Sequence, residues 1–177
     1  MNSLFSTCQC GQVKFETVGP PITTSACYCS DCQEAGRRLE QLASAPPLLG
    51  PDSGTEVVLF RKDRVRCVAG QDHLEEHQLK PESPTRRLVA TCCNSAMVLD
   101  FSKGHWLSMY RNRFADAPLL EMRVMTKERR AGVELADDVP CYPGYSGKFM
   151  MKLIGAWIAM GFRRPEIAWG KAPAAER

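Results

Sequence analysis

Apolar and polar residues alternate through Cys10–Glu16, which sets Val13 and Phe15 on one face and predicts a strand that ends at Gly19-Pro20-Pro21. Thr23–Cys27 predicts a second short strand. Ser30 or Asp31 then reads as the cap of a short helix running from Cys32 towards Leu42, with acidic residues in its first turn. Pro46-Pro47 and Gly50-Pro51 mark a loop. Thr55–Phe60 and Arg64–Val68 are rich in β-formers, with a turn at Lys62-Asp63. His73–Leu79 predicts another strand, and Arg87–Cys92 with Ala96–Phe101 predicts a hairpin folded at Cys93-Asn94-Ser95. Leu119–Met125 alternates once more. Beyond a Pro/Gly-rich turn, Phe149, Leu153, Trp157 and Met160 recur at helical spacing, so Lys148–Gly161 predicts a helix capped by Ser146, its apolar side serving core packing. The expected class is mainly β: residues 1–102 as a core, and 103–177 as an extension of strand and helix packed on the same domain.

Composition adds bounds. Hydrophobic residues make up 44% of 177, enough for an ordinary core. The net charge of +3 and pI of about 8.4 are mild, and the basic pairs are scattered, so no nucleic-acid partner is expected. The longest apolar stretch, Phe149–Phe162, is shorter than the roughly 20 residues that span a bilayer, so no membrane association is expected. The first residues lack a basic start and an apolar run and do not read as a secretory signal, which makes the cytoplasm the expected location.

Nine cysteines change the picture. Where thiols stay reduced, closely spaced cysteines read as metal ligands or reactive groups. Three clusters stand out: Cys8-x-Cys10, Cys27-x-Cys29-x-x-Cys32 and Cys92-Cys93. Zinc takes four tetrahedral ligands, and a tight turn aims two sulfurs at one ion while its N–H groups donate to them. Gly11 supplies the backbone freedom for the first such turn. Seven clustered cysteines suit one or two zinc ions, with four protein ligands closing one site and three leaving the other open to a substrate.

In these residues the chain resembles a known family. Cys8-Gln-Cys10-Gly11-Gln-Val-Lys-Phe-Glu16, Cys27-Tyr-Cys29-Ser-Asp-Cys32-Gln33, Gly54-Thr-Glu56 and Cys93-Asn-Ser95 are similar in order and spacing to the glutathione-dependent formaldehyde-activating enzymes, a family that includes centromere protein V. The resemblance covers about residues 5–101, and a bacterial branch with a Cys-Cys-Asn turn resembles it further. It implies an antiparallel β-tent around zinc. It implies a structural site of Cys8, Cys10, Cys92 and Cys93, and a labile, catalytic site of Cys27, Cys29 and Cys32. The implied activity is that of a carbon–sulfur lyase on S-hydroxymethylglutathione, the adduct of formaldehyde and glutathione, with a small thiol such as glutathione as partner. The chain departs from the family's late C-x-x-C-G motif: Ala90 stands at its first cysteine and Asn94 at its glycine, which leaves either Cys92 as the fourth ligand or a site of only three thiolates.

Arg37, Arg86 and Arg87 are the cations weighed for an anionic thiol. His73-Leu-Glu-Glu-His77 matches an inverted zinc-protease motif, but it follows a β-rich run between Gly70 and Pro81, whereas that chemistry needs a helix. His105 reads as a packed side chain, Cys67 as a core thiol alternating with Val65, and Cys141 as a bystander or a fourth ligand for the triad. The rival to an enzyme is a non-catalytic, zinc-stabilised binding module. Two metal ions per chain, one easily chelated, would favour the enzyme.

Overall fold

The computed structural model describes residues 3–167 and 169. The chain begins with a hairpin, β1 (Ser3–Thr7) and β2 (Lys14–Val18), followed by β3 (Thr23–Cys27) and helix α1 (Ser30–Glu40). Six strands come next: β4 (Thr55–Arg61), β5 (Val65–Ala69), β6 (Leu74–His77), β7 (Thr85–Ala90), β8 (Ser95–Phe101) and β9 (Trp106–Tyr110). A short β10 (Met122–Val124) and helix α2 (Gly147–Ala159) follow. One sheet has three strands in the order β1-β2-β5, the other seven in the order β10-β3-β4-β9-β8-β7-β6. Among the strands of the described residues, only β10 runs parallel to its neighbour, β3.

The larger sheet is covered on both faces, which explains the unbroken apolar run in β4. Val58 and Phe60 enter one cluster with Val13, Phe15, Met97 and Met109, beneath the three-stranded sheet. Val57 and Leu59 enter a second cluster with Leu39, Val124, Phe149 and Leu153, beneath the two helices. Alternation in β7 is equally consequential: Arg86 and Arg87 point to opposite faces. On the first face, fully buried Asp100 lies opposite Arg86 in the β7–β8 register. It meets Arg86 at 2.9 Å, Lys62 at 2.8 Å and the Trp169 ring N–H at 3.0 Å.

Several expectations shift. The first predicted strand begins four residues late, at Lys14, because residues 9–12 form the turn that holds Cys8 and Cys10. Helix α1 starts at Ser30, with Cys29 itself at the cap. Neither Ser30 nor Asp31 caps it by a side chain; the Ser30 N–H donates instead to Glu128 Oε2 at 2.9 Å. The Lys62-Asp63 turn is a 3-10 corner that sends the chain from one sheet to the other. Cys67 packs against the first apolar cluster but stays partly exposed, because β5 is an edge strand. Its Sγ donates to the Ala69 carbonyl at 3.2 Å.

Strands β1 and β9 had no counterpart in the sequence pattern; the remaining elements fall where it puts them, within a few residues at each end. Asn94 sits in the left-handed region, φ 50°, at the β7–β8 turn. Ser146 caps α2 by accepting from the Phe149 N–H at 3.1 Å. That helix buries Phe149 and Leu153 and leaves Met151 and Ile158 exposed. No helix among the described residues is long and apolar enough to cross a membrane.

Candidate metal centres and cavity

Two groups of sulfurs converge. The first joins the β1–β2 turn of the small sheet to the β7–β8 turn of the large one. Gly11, at φ 82°, lets its N–H donate back to the Cys8 carbonyl at 3.0 Å, and so curls Cys8 and Cys10 around one point. Sulfur separations are 3.6 Å for Cys8–Cys10, 3.8 Å for Cys8–Cys92, 3.3 Å for Cys10–Cys92 and 3.9 Å for Cys92–Cys93. All four lie within 4.8 Å of one another. A tetrahedron with metal–sulfur bonds of about 2.3 Å has edges of about 3.8 Å, so the group fits a soft four-coordinate cation. The adjacent Cys92 and Cys93 share the site because the turn, with Asn94 left-handed, breaks the divergence a strand would impose.

The surroundings favour sulfur anions. The Val13 N–H donates to Cys8 Sγ at 3.2 Å. Ser95 Oγ lies 3.1 Å from Cys93 Sγ and accepts from the Gln9 N–H at 3.1 Å, tying both turns together. Burial pushes Cys93 up, but the Ser95 and Cys10 hydrogen bonds outweigh it and hold the thiol at about 6. Burial, and then its sulfur neighbours, push Cys92 well above the ordinary thiol range. One sulfur thus carries charge while others donate to it, and a bound cation would release the remaining protons.

The second group sits at the β3–α1 junction. Cys27 ends the strand, Cys29 caps the helix and Cys32 lies in its first turn. Tyr28 between them points the opposite way and is fully buried, its hydroxyl donating to Asp52 at 2.5 Å and accepting from Arg123 at 3.1 Å. Gln33 Nε2 donates to the Tyr28 carbonyl at 2.5 Å and to the Glu128 carbonyl at 2.9 Å, which pins the junction to a segment nearly a hundred residues later. The three sulfurs lie within 4.8 Å of one another, with Cys27 and Cys29 3.5 Å apart. Hydrogen bonds from the Cys27 and Cys32 thiols pull Cys29 down to about 3; its bond to Cys29 pushes Cys27 up to about 12. Three sulfurs leave one corner of a tetrahedron free.

That corner belongs to a cavity of about 430 Å³ between the large sheet and α2. Its walls include all three thiols, Val57 and Leu59 of β4, Arg87 of β7, Trp106 of β9, and Phe149 and Leu153 of α2. The four-sulfur group does not line it. Residues beyond 102 therefore shape the space in front of the triad, a role with no cysteine or other marked residue to signal it.

Of the arginines weighed from sequence, Arg87 lines the cavity, Arg86 is taken up by Asp100 and Glu76 on the opposite face, and Arg37 pairs with Glu34 on the surface. Cys141 is exposed, bonded to the Val139 carbonyl at 3.7 Å, and joins neither group. His73 closes a 3-10 turn and His77 ends β6, so the helix face that a protease motif needs is not formed. His105 is buried, stacked on Trp157 with centroids 5.7 Å apart. Gly54 went unexplained in the sequence: a Cβ there would lie 2.8 Å from the Tyr28 ring, so the absent side chain makes room for the residue that sets Cys27 and Cys29.

Residues 3–44 match the family described as glutathione-dependent formaldehyde-activating enzyme. That span holds the C-x-C and C-x-C-x-x-C segments. No curated protein matches the chain. Among solved structures, a crystal structure of a Rhodobacter sphaeroides protein aligns at a TM-score of 0.45 and 17% identity, covering 78% of this chain and 99% of that one.

Proposed function

We propose, for a chain whose residues 3–44 match the glutathione-dependent formaldehyde-activating enzyme family, that it is a zinc-dependent carbon–sulfur lyase for a small thiol–aldehyde adduct. S-hydroxymethylglutathione is the family's precedent for such an adduct. The observation that carries this reading is the contrast between the two sulfur groups. One offers four ligands away from the cavity, and the other offers three on the cavity wall.

In this reading Cys8, Cys10, Cys92 and Cys93 hold a structural ion that staples the two sheets. Cys27, Cys29 and Cys32 hold the second. An ion there would supply Lewis acidity and stabilise a thiolate. The protein's own residues do the rest. The rigid β3–α1 junction fixes the triad, and the apolar walls keep water from the adduct. The reaction is redox-neutral: the carbon–sulfur bond breaks, the hydroxyl carbon leaves as the aldehyde, and the hydroxyl proton ends on the departing sulfur. In reverse, thiol adds to aldehyde. The soluble, cytoplasmic setting expected from the sequence suits such chemistry.

The test mixes zinc-loaded protein with formaldehyde and a thiol and follows adduct formation by NMR exchange. A rate above the uncatalysed one that disappears in Cys29→Ser supports the lyase. A rate equal to the uncatalysed one, with a single tightly held zinc per chain, would leave the binding module instead.

A further inference from the structure

The cavity wall bears on which adduct the site accepts, a question that rests on the lyase reading. Arg87 is 3% exposed, and no carboxylate pairs with it among the described residues. Its Nη2 donates to the Asp31 carbonyl at a long 3.4 Å, and the buried Tyr110 hydroxyl lies near the guanidinium. Its Nη1 is buried without a hydrogen-bond partner among the described residues. The other buried arginines are better provided for. Arg113 donates to the Ala96 and Pro47 carbonyls, both at 3.1 Å, and Arg123 is held by Tyr28 and Asp138. A buried guanidinium with an unmet N–H is costly, because it has lost water and gained nothing in return. Arg87 lies close to Cys29 and faces the space in front of it. A ligand that fills that space can supply the missing acceptor.

The remaining wall is mostly hydrocarbon: Val57, Leu59, Leu99, Trp106, Phe149 and Leu153. Asp31 stands exposed at the rim, and Ser25, Thr85, Ser108 and the Tyr145 hydroxyl are the other polar exceptions. Glutathione carries an ammonium, two carboxylates and two amides, most of which would be stripped of water against these side chains. An aryl or branched alkyl body with a single acid group matches the wall, since ligand sites of this kind combine an apolar lining with few placed polar groups.

We propose that the cavity selects thiol adducts with an apolar body and one carboxylate, which accepts from the unpartnered N–H of Arg87, over the adduct of a polar tripeptide. Calorimetric titration of the zinc-loaded full chain tests this without turnover. The probes are 3-phenylpropanoate, its neutral amide 3-phenylpropanamide, and S-methylglutathione, whose blocked sulfur removes thiolate ligation. The acid is expected to bind at least tenfold more tightly than the amide and than S-methylglutathione. Arg87→Gln should erase the difference between acid and amide, while Arg87→Lys should keep part of it. If a variant fails to fold, the comparison of acid with amide is repeated on the unaltered chain after the labile zinc is chelated, where ligation of the ion by the carboxylate no longer contributes; an acid preference that vanishes there overturns the assignment to Arg87. Equal binding of acid and amide would overturn the proposal and leave Arg87 as a counter-charge to the thiolates; so would S-methylglutathione binding as tightly as the acid. If the acid binds through Arg87 but no adduct is turned over, the cavity assignment holds and the lyase alone fails. If a glutathione adduct is turned over and the acid has no preference, the reverse holds.

Discussion

Replacing Asp100 by Asn should destabilise the fold severely while sparing the cavity. Asp100 is fully buried and Lys62 is 4% exposed, so their 2.8 Å pair has little water around it. Asn keeps the volume but drops the charge, and its amide has donors where the carboxylate had only acceptors. Lys62 would then keep one contact, the Phe101 carbonyl at 3.3 Å. Arg86 is relieved in part, because Glu76 stays 2.9 Å away and solvent reaches its side chain. Removing one partner of a buried ion pair costs about 3–5 kcal/mol, and Lys62 bears most of it here. With a urea dependence of about 2 kcal/mol per molar, a 4 kcal/mol loss lowers the unfolding midpoint by about 2 M. Circular dichroism at constant zinc would follow the transition. Adding Lys62→Met removes the stranded ammonium and should restore part of the loss, a non-additivity expected of residues in contact. Binding of 3-phenylpropanoate to the folded variant should be unchanged, since Arg86 and Arg87 face opposite sides of the sheet. A midpoint within about 0.3 M of the parent would refute the idea that this buried charge network is sustained by Asp100.

Three further outcomes are expected. Elemental analysis should find two zinc ions per chain, falling to one in Cys32→Ser with thermal stability near that of the parent; Cys92→Ser should also lose one ion but melt earlier, because that site joins the two sheets. Tyr28→Phe should cost about 1–3 kcal/mol in urea unfolding, since buried Arg123 loses its Nε acceptor. Burial holds His105 below its ordinary value; the Leu153 carbonyl, 2.8 Å from Nε2, opposes it in part, and the nearby charges of Arg164 and Lys62 add smaller downward pushes, so the fold favours the neutral ring. Its contribution is then fully present above the unfolded pKa of about 6.5 and lost as pH falls from there through the folded value; unfolding midpoints measured between pH 7 and 5 should decline less steeply in His105→Gln.

Much of this arrangement could be read from residue order alone. Cysteine spacing marked the triad and each half of the four-sulfur group, because short turns bring near neighbours together; that Cys8 and Cys10 would meet Cys92 and Cys93 came only from the family resemblance. The tolerance of Asn94 for a left-handed angle and the cap at Ser146 were equally local. What escaped were features that depend on distant partners. Cys29 rather than Ser30 takes the cap position of α1, and the Ser30 N–H is met by Glu128 from a distant segment. Cys67 alternates properly, but its strand ended up at an edge. Arg86 and Arg87 looked alike; only the sheet shows that one faces a buried aspartate and the other a cavity. Gly54 became intelligible once the Tyr28 ring was seen against it.

The two sulfur groups differ because of the elements that present them. Two hairpin turns meeting end to end can each contribute a pair of side chains, so four sulfurs close around one point and the site is complete. A strand running into a helix contributes three at most on one side, because Tyr28 must turn away to anchor the junction. The fourth direction stays open, and β4, β7, β9 and α2 border it. Those walls carry no cysteine, so they are free to set what may approach the sulfurs without altering how the sulfurs are held. On the proposed reading, specificity resides with cavity residues such as Arg87, Trp106 and Phe149, and the cysteine motifs alone would not reveal it.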